Sequence, residues 1–277
     1  MIQSIEKFNA AVRQRGFVGA CYLTLDWLLG LFGVRMLDAF TRRRISLSRE
    51  LDRQLNSTVA YGPFKGLKLS AGAWWGAADR GAMLLGMYEQ ELLDALQTLP
   101  PNYDTFVDIG AADGYYGIGM TRCRGMKASW CFEMSAAGQE LIRKNAELNG
   151  VAGSVEIRGA ADANFLTALQ GLECENVVLF VDIEGGEFEL LDDSAFQKFC
   201  RSIIFVELHD WFYEDGNERL NRLKATATRT HTITEICTGG RNPSRYSELA
   251  KLGDTDRWLI CSEGRRRLMT WWRLDPL

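Results

Sequence analysis

The sequence predicts an α/β protein: a mostly parallel sheet with helices on both faces, preceded by a helical N-terminal extension over residues 1–60. Three observations lead there. From residue 105 onward, short apolar runs alternate with segments of helical spacing. In NVVLFVDIEGGE (176–187) the apolar stretch is unbroken, as in a strand buried on both faces. Acidic residues recur at the tips of successive runs, where open parallel sheets bind ligands.

The elements follow in order. Residues 1–60 read as helices with basic and polar breaks. YGPFKGLKLS (61–70) holds Gly-Pro and Lys-Gly turn signals around short β-like runs. GAMLLGMYEQELLDALQTL (81–99) has apolar residues at 84, 85, 88, 92, 96 and 99, the spacing of one helix, which PPNYD then breaks. TFVDIG is the first strand and GYYGIGMTRC opens a helix. ASWCFEM (128–134) is the second strand. The helix after it has Ser135 as N-cap and Gly150 as C-cap. SVEIRGAAD (154–162), NVVLFVDIEGGE and SIIFVELHD (202–210) give strands three to five, with helices FELLDDSAFQKFC and NERLNRLKATA following the last two. THTITEIC and RWLICS (257–262) read as the closing strands.

Composition sets bounds. The 277 residues are 47% hydrophobic, enough for one sizeable core plus an accessory segment. The net charge of −4 gives no support to long-range attraction toward nucleic acid, so no nucleic-acid partner is expected. The seven cysteines include no C-x-x-C pair, which argues against a zinc site or a disulfide framework and for reduced thiols in a cytoplasmic protein. The apolar stretch 18–34 carries Asp26 at its middle, a poor candidate for a membrane span. With the basic residues at 42–44 it is expected to pack on the domain, on another copy of the chain, or peripherally on a membrane, through residues 18–44.

The turn after the first strand reads Asp108-Ile-Gly110-Ala111-Ala112-Asp113-Gly114. A G-x-G-x-x-G phosphate fingerprint starting at Gly110 would need glycines at Ala112 and Tyr115, and it fails. Small residues still let backbone approach a ligand, while the acid disfavours a phosphate and suits a cationic or hydroxyl-bearing one. Glu133, 19 residues beyond Gly114, stands at the second strand tip, where a carboxylate can accept both hydroxyls of a ribose. Asp162, at the expected third tip, could accept from an adenine amino group. An adenosine with a zwitterionic tail and no phosphates is S-adenosyl-L-methionine.

On these residues the chain resembles the FkbM-type family of class I S-adenosylmethionine-dependent methyltransferases. VDIGAADGYY is similar to that family's glycine-rich first motif, FVDIEGGEFELL to its strand-four signature and FVELH to its fifth-strand signature; GPFKGLKL and LLGMYEQELL resemble the lead-in of some members. The resemblance covers roughly residues 61–262, and Ala112 departs from it where many methyltransferases have glycine. It implies a Rossmann-like, seven-stranded sheet with an antiparallel last strand over a domain at 61–277. It also implies cofactor contacts from Asp108, Gly110, Ala111, Gly114, Glu133 and Asp162, and methyl transfer to a hydroxyl of a small metabolite, polyketide, sugar or glycan. The alternative is a cofactor-binding scaffold without catalysis.

Strand four carries Asp182-Ile-Glu184 rather than the Asn/Asp-Pro-Pro-aromatic motif of enzymes that methylate base amines. O-methylation needs a group to take the hydroxyl proton, and a histidine serves near neutrality. Of the two histidines, His209 lies two residues beyond Glu207, on the same face of the strand tip, and is the expected base, with Asp182 and Glu184 beside it. His231, at the start of a late strand, is expected to be structural. Asp182, Glu184, Glu207 and His209 could gather round a divalent cation, but no ligand spacing demands one, and no metal is included in the expected site. Trp74, Trp75 and the loop HDWFYEDG (209–216) border the site in sequence. GRRRLMTWWRL (264–274) is expected to pack, with Arg–Trp cation–π pairing or a membrane contact as alternatives.

Overall fold

The computed structural model describes residues 17, 18, 21, 24, 25, 39–71, 76–162, 165–169, 171, 172, 174–265 and 267–277. The apolar stretch 18–34 therefore lies almost wholly outside the described residues, and Trp74 and Trp75 lie outside them altogether. The chain divides into two compact units, residues 1–43 and 44–277. Among the described residues, no helix is long and apolar enough to cross a membrane. The seven cysteines are unpaired.

Seven strands form one sheet: β1 (Thr105–Ile109), β2 (Ala128–Phe132), β3 (Val155–Arg158), β4 (Val177–Val181), β5 (Ile203–Glu207), β6 (His231–Cys237) and β7 (Thr270–Pro276). Their order is β3-β2-β1-β4-β5-β7-β6. The first five run parallel, and β7 is antiparallel to both β5 and β6. This is the expected Rossmann-like sheet.

Side chains alternate across it, as the two-residue period of a strand requires. Phe106, Phe180, Phe205 and Trp271 enter the core on one face. Val107, Leu179, Ile204 and Trp272 enter the core on the other. On the first face the Phe180 ring lies 4.5 Å from that of Tyr116 and 4.8 Å from that of Trp271, centroid to centroid. Because β4 and β5 are buried along their whole length, the polar groups just past their ends are rigidly placed.

The termini of the helix Ala136–Leu148 follow the sequence signals: the Ser135 hydroxyl accepts from the Gly138 amide at 3.4 Å, and Gly150 just beyond takes φ +70°. Two expectations are corrected. RWLICS is not a strand; it lies in the helix Asp254–Cys261 and its last residue just after, with Ile260 and Cys261 buried and Trp258 exposed. The closing strand is β7, whose two tryptophans fill the cores on opposite faces. The segment 81–99 is not one helix. It breaks into Arg80–Leu84 and Gln90–Gln97, because Gly86 and Glu89 both adopt left-handed backbone.

His231 is structural, as expected. It is buried, its Nε2 lies 3.1 Å from the Ser202 carbonyl and its Nδ1 2.8 Å from the Thr230 hydroxyl. Burial pushes the ring's pKa down, against hydrogen bonds to backbone carbonyls. A folded-state pKa below the unfolded value of about 6.5 means that the unfolded chain protonates first on acidification. The stability His231 contributes is thus present at neutral pH and lost as pH falls below about 6.5. In urea titrations the stability gap between wild type and His231→Gln should shrink from pH 7 to pH 5. A gap constant over that window would show that the imidazole is not held neutral.

Candidate active site

A cavity of about 510 Å³ opens beyond the C-terminal ends of β1, β2 and β4. Asp108, Gly110, Ala111 and Glu133 line it, together with Asp182 and Glu184 from the end of β4. The sheet brings these together because β1 is paired on one side with β2 and on the other with β4.

The floor is the turn after β1. Gly110 has φ +93°, and a Cβ there would lie 1.8 Å from the Asp182 carbonyl oxygen, so only glycine permits this approach of the two chains. Ala112 also takes a left-handed φ, +50°, a conformation that glycine adopts more readily. It is held there by Glu133, whose Oε2 accepts from the Ala112 amide at 3.0 Å while Oε1 accepts from the Ser135 amide at 2.7 Å. Both carboxylate oxygens keep lone pairs for a ligand. Asp108 accepts from the Gly117 amide at 3.0 Å. Burial pushes its pKa up to about 8, with the Gly117 hydrogen bond pulling down and Asp182, Asp113 and Glu133 adding to the rise.

Two expected contacts stand off this wall. Gly114 does not line the cavity and instead caps the helix Tyr115–Arg124 with φ +80°. Asp162 is exposed: β3 ends at Arg158, so it lies in the loop beyond the tip, and Ala160 and Ala161 form the wall there. Met83, Tyr88, Tyr115 and Tyr116 also line the cavity; the tyrosines lie inside LLGMYEQELL and VDIGAADGYY, but an aromatic there reads simply as core.

A second cavity of about 230 Å³ adjoins the first, lined by His209, Glu207, Trp211, Arg265, Glu263 and Asp79. Tyr88, Asp182 and Glu184 line both. The loop after β5 thus supplies a wall through Trp211, whose ring centroid lies 5.1 Å from that of His209, and Phe212 stacks on His209 at 5.6 Å.

His209 is ringed by carboxylates. Its Nε2 lies 3.5 Å from Glu184, 3.6 Å from Glu207 and 3.9 Å from Asp182, and its Nδ1 3.3 Å from Glu187. Burial pulls its pKa down, but hydrogen bonding to Glu187 and the charges of Asp182, Glu187 and Glu184 outweigh it, and the net shift is upward. Glu187 is fully buried and ties the two strand ends together, accepting from the Gly185 amide at 2.9 Å and the His209 amide at 2.7 Å. Glu184 has φ +52°, a strained backbone for a non-glycine residue.

Arg265 closes the far side. It pairs with Glu207 at 2.6 Å, with Glu263 at 3.0 Å and with Glu89, which also accepts from the Tyr116 hydroxyl at 2.5 Å. Burial raises the pKa of both Glu89 and Glu207, which share this single guanidinium. Sequence reading missed Glu89, Glu187, Glu263 and Arg265; the segments LLGMYEQELL, FVDIEGGEFELL and GRRRLMTWWRL contain Glu89, Glu187 and Arg265, but nothing in them marks these residues, and Glu263 lies in none.

No family model matches the chain, and no curated protein matches its sequence. Solved structures resemble it at a distance. The O-methyltransferase from Bacillus cereus, in complex with SAH, is 12% identical over 91% of this chain and 97% of that one, with a TM-score of 0.44. The O-methyltransferase TomG from Streptomyces achromogenes, in complex with SAM, is 14% identical over 91% and 96%, with a TM-score of 0.45. A precorrin-6y C5,15-methyltransferase from Geobacter metallireducens is 14% identical over 67% and 87%, with a TM-score of 0.46. At such distances the similarity bears on the chain trace alone.

Proposed function

We propose that this chain is an S-adenosylmethionine-dependent methyltransferase acting on a hydroxyl of a small metabolite, polyketide, sugar or glycan. The observation that carries the reading is the pair of cavities sharing Asp182, Glu184 and Tyr88. A donor in the larger and an acceptor in the smaller would meet across those three side chains. The motif resemblance to the FkbM-type family points the same way.

The larger cavity fits the donor. Its volume is that of a small-molecule site. Its backbone approach at Gly110 leaves room that a Cβ would fill. Its walls carry Glu133, Asp182 and Glu184, carboxylates that repel phosphate and suit a sulfonium and an ammonium, beside the buried Asp108 and Asp113, whose pKa values burial raises. When bound, S-adenosylmethionine supplies an electrophilic methyl group.

The chain's own residues do the rest. Glu133 accepts the ribose hydroxyls, and Asp108 and the Gly110–Ala111 backbone hold the amino-acid end and its neighbours. Asp182 and Glu184 hold the reacting groups at the junction, a matter of positioning. His209, with those two carboxylates beside it, is the group placed to take the acceptor's proton. Asp162 is retained as an adenine contact only through movement of the loop after β3.

The test is turnover of methyl-labelled S-adenosylmethionine against a library of hydroxyl acceptors, with calorimetry for binding. Methyl transfer supports the enzyme. Binding without transfer to any acceptor would favour a non-catalytic scaffold, and no binding would sink both. Glu133→Ala should weaken cofactor binding by about 1–3 kcal/mol, the cost of leaving buried partners unsatisfied. Unchanged affinity in a variant with wild-type circular dichroism would remove Glu133 from the ribose role.

A further inference from the structure

At the ends of β4 and β5, one donor atom each from Asp182, Glu207 and His209 lies within 4.8 Å of the others. The spacing between the imidazole and the two carboxylates is not that of hydrogen bonds. His209 Nε2 stands 3.6 Å from Glu207 Oε2 and 3.9 Å from Asp182 Oδ1, where an N–H donor to an oxygen settles at about 2.7–3.2 Å. Two ligands of a six-coordinate cation with bonds of about 2.1 Å lie about 3.0 Å apart when adjacent and about 4.2 Å when opposed. The observed separations fall between those limits. The imidazole nitrogen thus pairs closely with neither carboxylate, although the three groups converge.

Two further observations concern unmet bonding. Asp182 Oδ1, the oxygen facing the imidazole, is buried and has no hydrogen-bond partner. His209, whose side chain is only 3% exposed, has its Nδ1 3.3 Å from Glu187, and its Nε2 faces three carboxylates although one N–H could serve just one of them. Arg265 does not meet the need, because it engages the other oxygen of Glu207 and is shared with Glu89 and Glu263. A centre of positive charge among these atoms would satisfy all of them at once.

We propose that Asp182, Glu207 and His209 bind a divalent cation of the Mg²⁺/Mn²⁺ class, with Glu184 as a fourth ligand. Oxygen donors in the majority with one imidazole select a hard or borderline cation over zinc, which favours thiolate and histidine sets. The ligands stand on the ends of two fully buried strands, and Glu187 fixes the His209 backbone from below. The remaining positions face the smaller cavity, where such an ion would polarise an acceptor oxygen. With the ion in place His209 is a ligand and not a base. The site is thus part of the proposed acceptor cavity, but its occupancy is measured without donor or acceptor.

The experiment titrates Mn²⁺ into the full chain, follows loss of the free-ion electron paramagnetic resonance signal, and records pulsed spectra of the bound ion. One site is expected, with a ¹⁴N coupling from a directly bound imidazole. Asp182→Asn and Glu207→Gln should each weaken Mn²⁺ at least about tenfold. Glu140→Gln, on an exposed helix face, should leave it unchanged. Mg²⁺ should displace Mn²⁺ in competition. Absence of binding at millimolar Mn²⁺, or bound Mn²⁺ without the ¹⁴N coupling, overturns the proposal on the wild-type protein alone, whatever the variants' folding. Retained S-adenosylmethionine binding in that case would leave the methyltransferase reading standing.

Discussion

Gly110→Ala should unfold at far lower urea than wild type, with a stability loss of more than about 3 kcal/mol, the range reserved for core-disrupting changes. Two causes add. The residue holds φ +93°, which an L side chain adopts at a cost of about 1–2 kcal/mol. The new methyl would also meet the Asp182 carbonyl oxygen at 1.8 Å, and backbone on one of the most buried strand pairs cannot move aside cheaply. Gly125→Ala separates the two causes. It has φ +75° but nothing within 4 Å of an added Cβ, so it should lose only the conformational cost of about 1–2 kcal/mol. Cofactor binding should vanish in the first variant and persist in the second. Equal losses in the two would mean that the β1 and β4 turns do not approach as described.

That contact shows what could be read from the sequence. The apolar runs of β1 to β5 and the acids at their ends are local signals, and Asp108, Glu133, Asp182, Glu184 and His209 all fall at the two cavities. Asp162 misled because a strand tip was counted too far along an Arg-Gly-Ala-Ala run that carries no β-forming residue after Arg158. RWLICS reads as the closing strand, in place of TWWRLDP, for a related reason. A short apolar run reads as strand or buried helix with equal ease, and only the burial of Ile260 and Cys261 beside an exposed Trp258 reveals the helix. Glu89 and Arg265 were illegible for a different reason. They meet across 176 positions, and nothing local to either marks it as a partner of the other. Glu187 lay in view within the strand-four motif, but its task of holding the Gly185 and His209 amides depends on β5 lying beside β4.

His209→Ala is expected to lower kcat by at least about a hundredfold while leaving S-adenosylmethionine affinity within about twofold of wild type. The separation follows from the walls. His209 lines the smaller cavity and not the larger, and the donor contacts come from β1, β2 and the end of β4. Its loss removes the proton acceptor, worth about 10²–10⁴-fold, or removes a ligand of the ion that would acidify the acceptor. Either way the effect falls on the chemical step. Asp182→Asn behaves differently, because Asp182 lines both cavities and should lower kcat and donor affinity together. The comparison has force because the two residues are neighbours, with Nε2 and Oδ1 3.9 Å apart. A merely structural role for His209 would show as a fall in stability with kcat of the folded fraction unchanged, so each variant is assayed beside its urea midpoint. If His209→Ala keeps near-wild-type kcat and the wild-type enzyme is indifferent to EDTA, neither proton transfer nor metal ligation passes through the imidazole. The carboxylates of Asp182 and Glu184 would then act by positioning alone, which an acceptor held in near-attack geometry requires in any case.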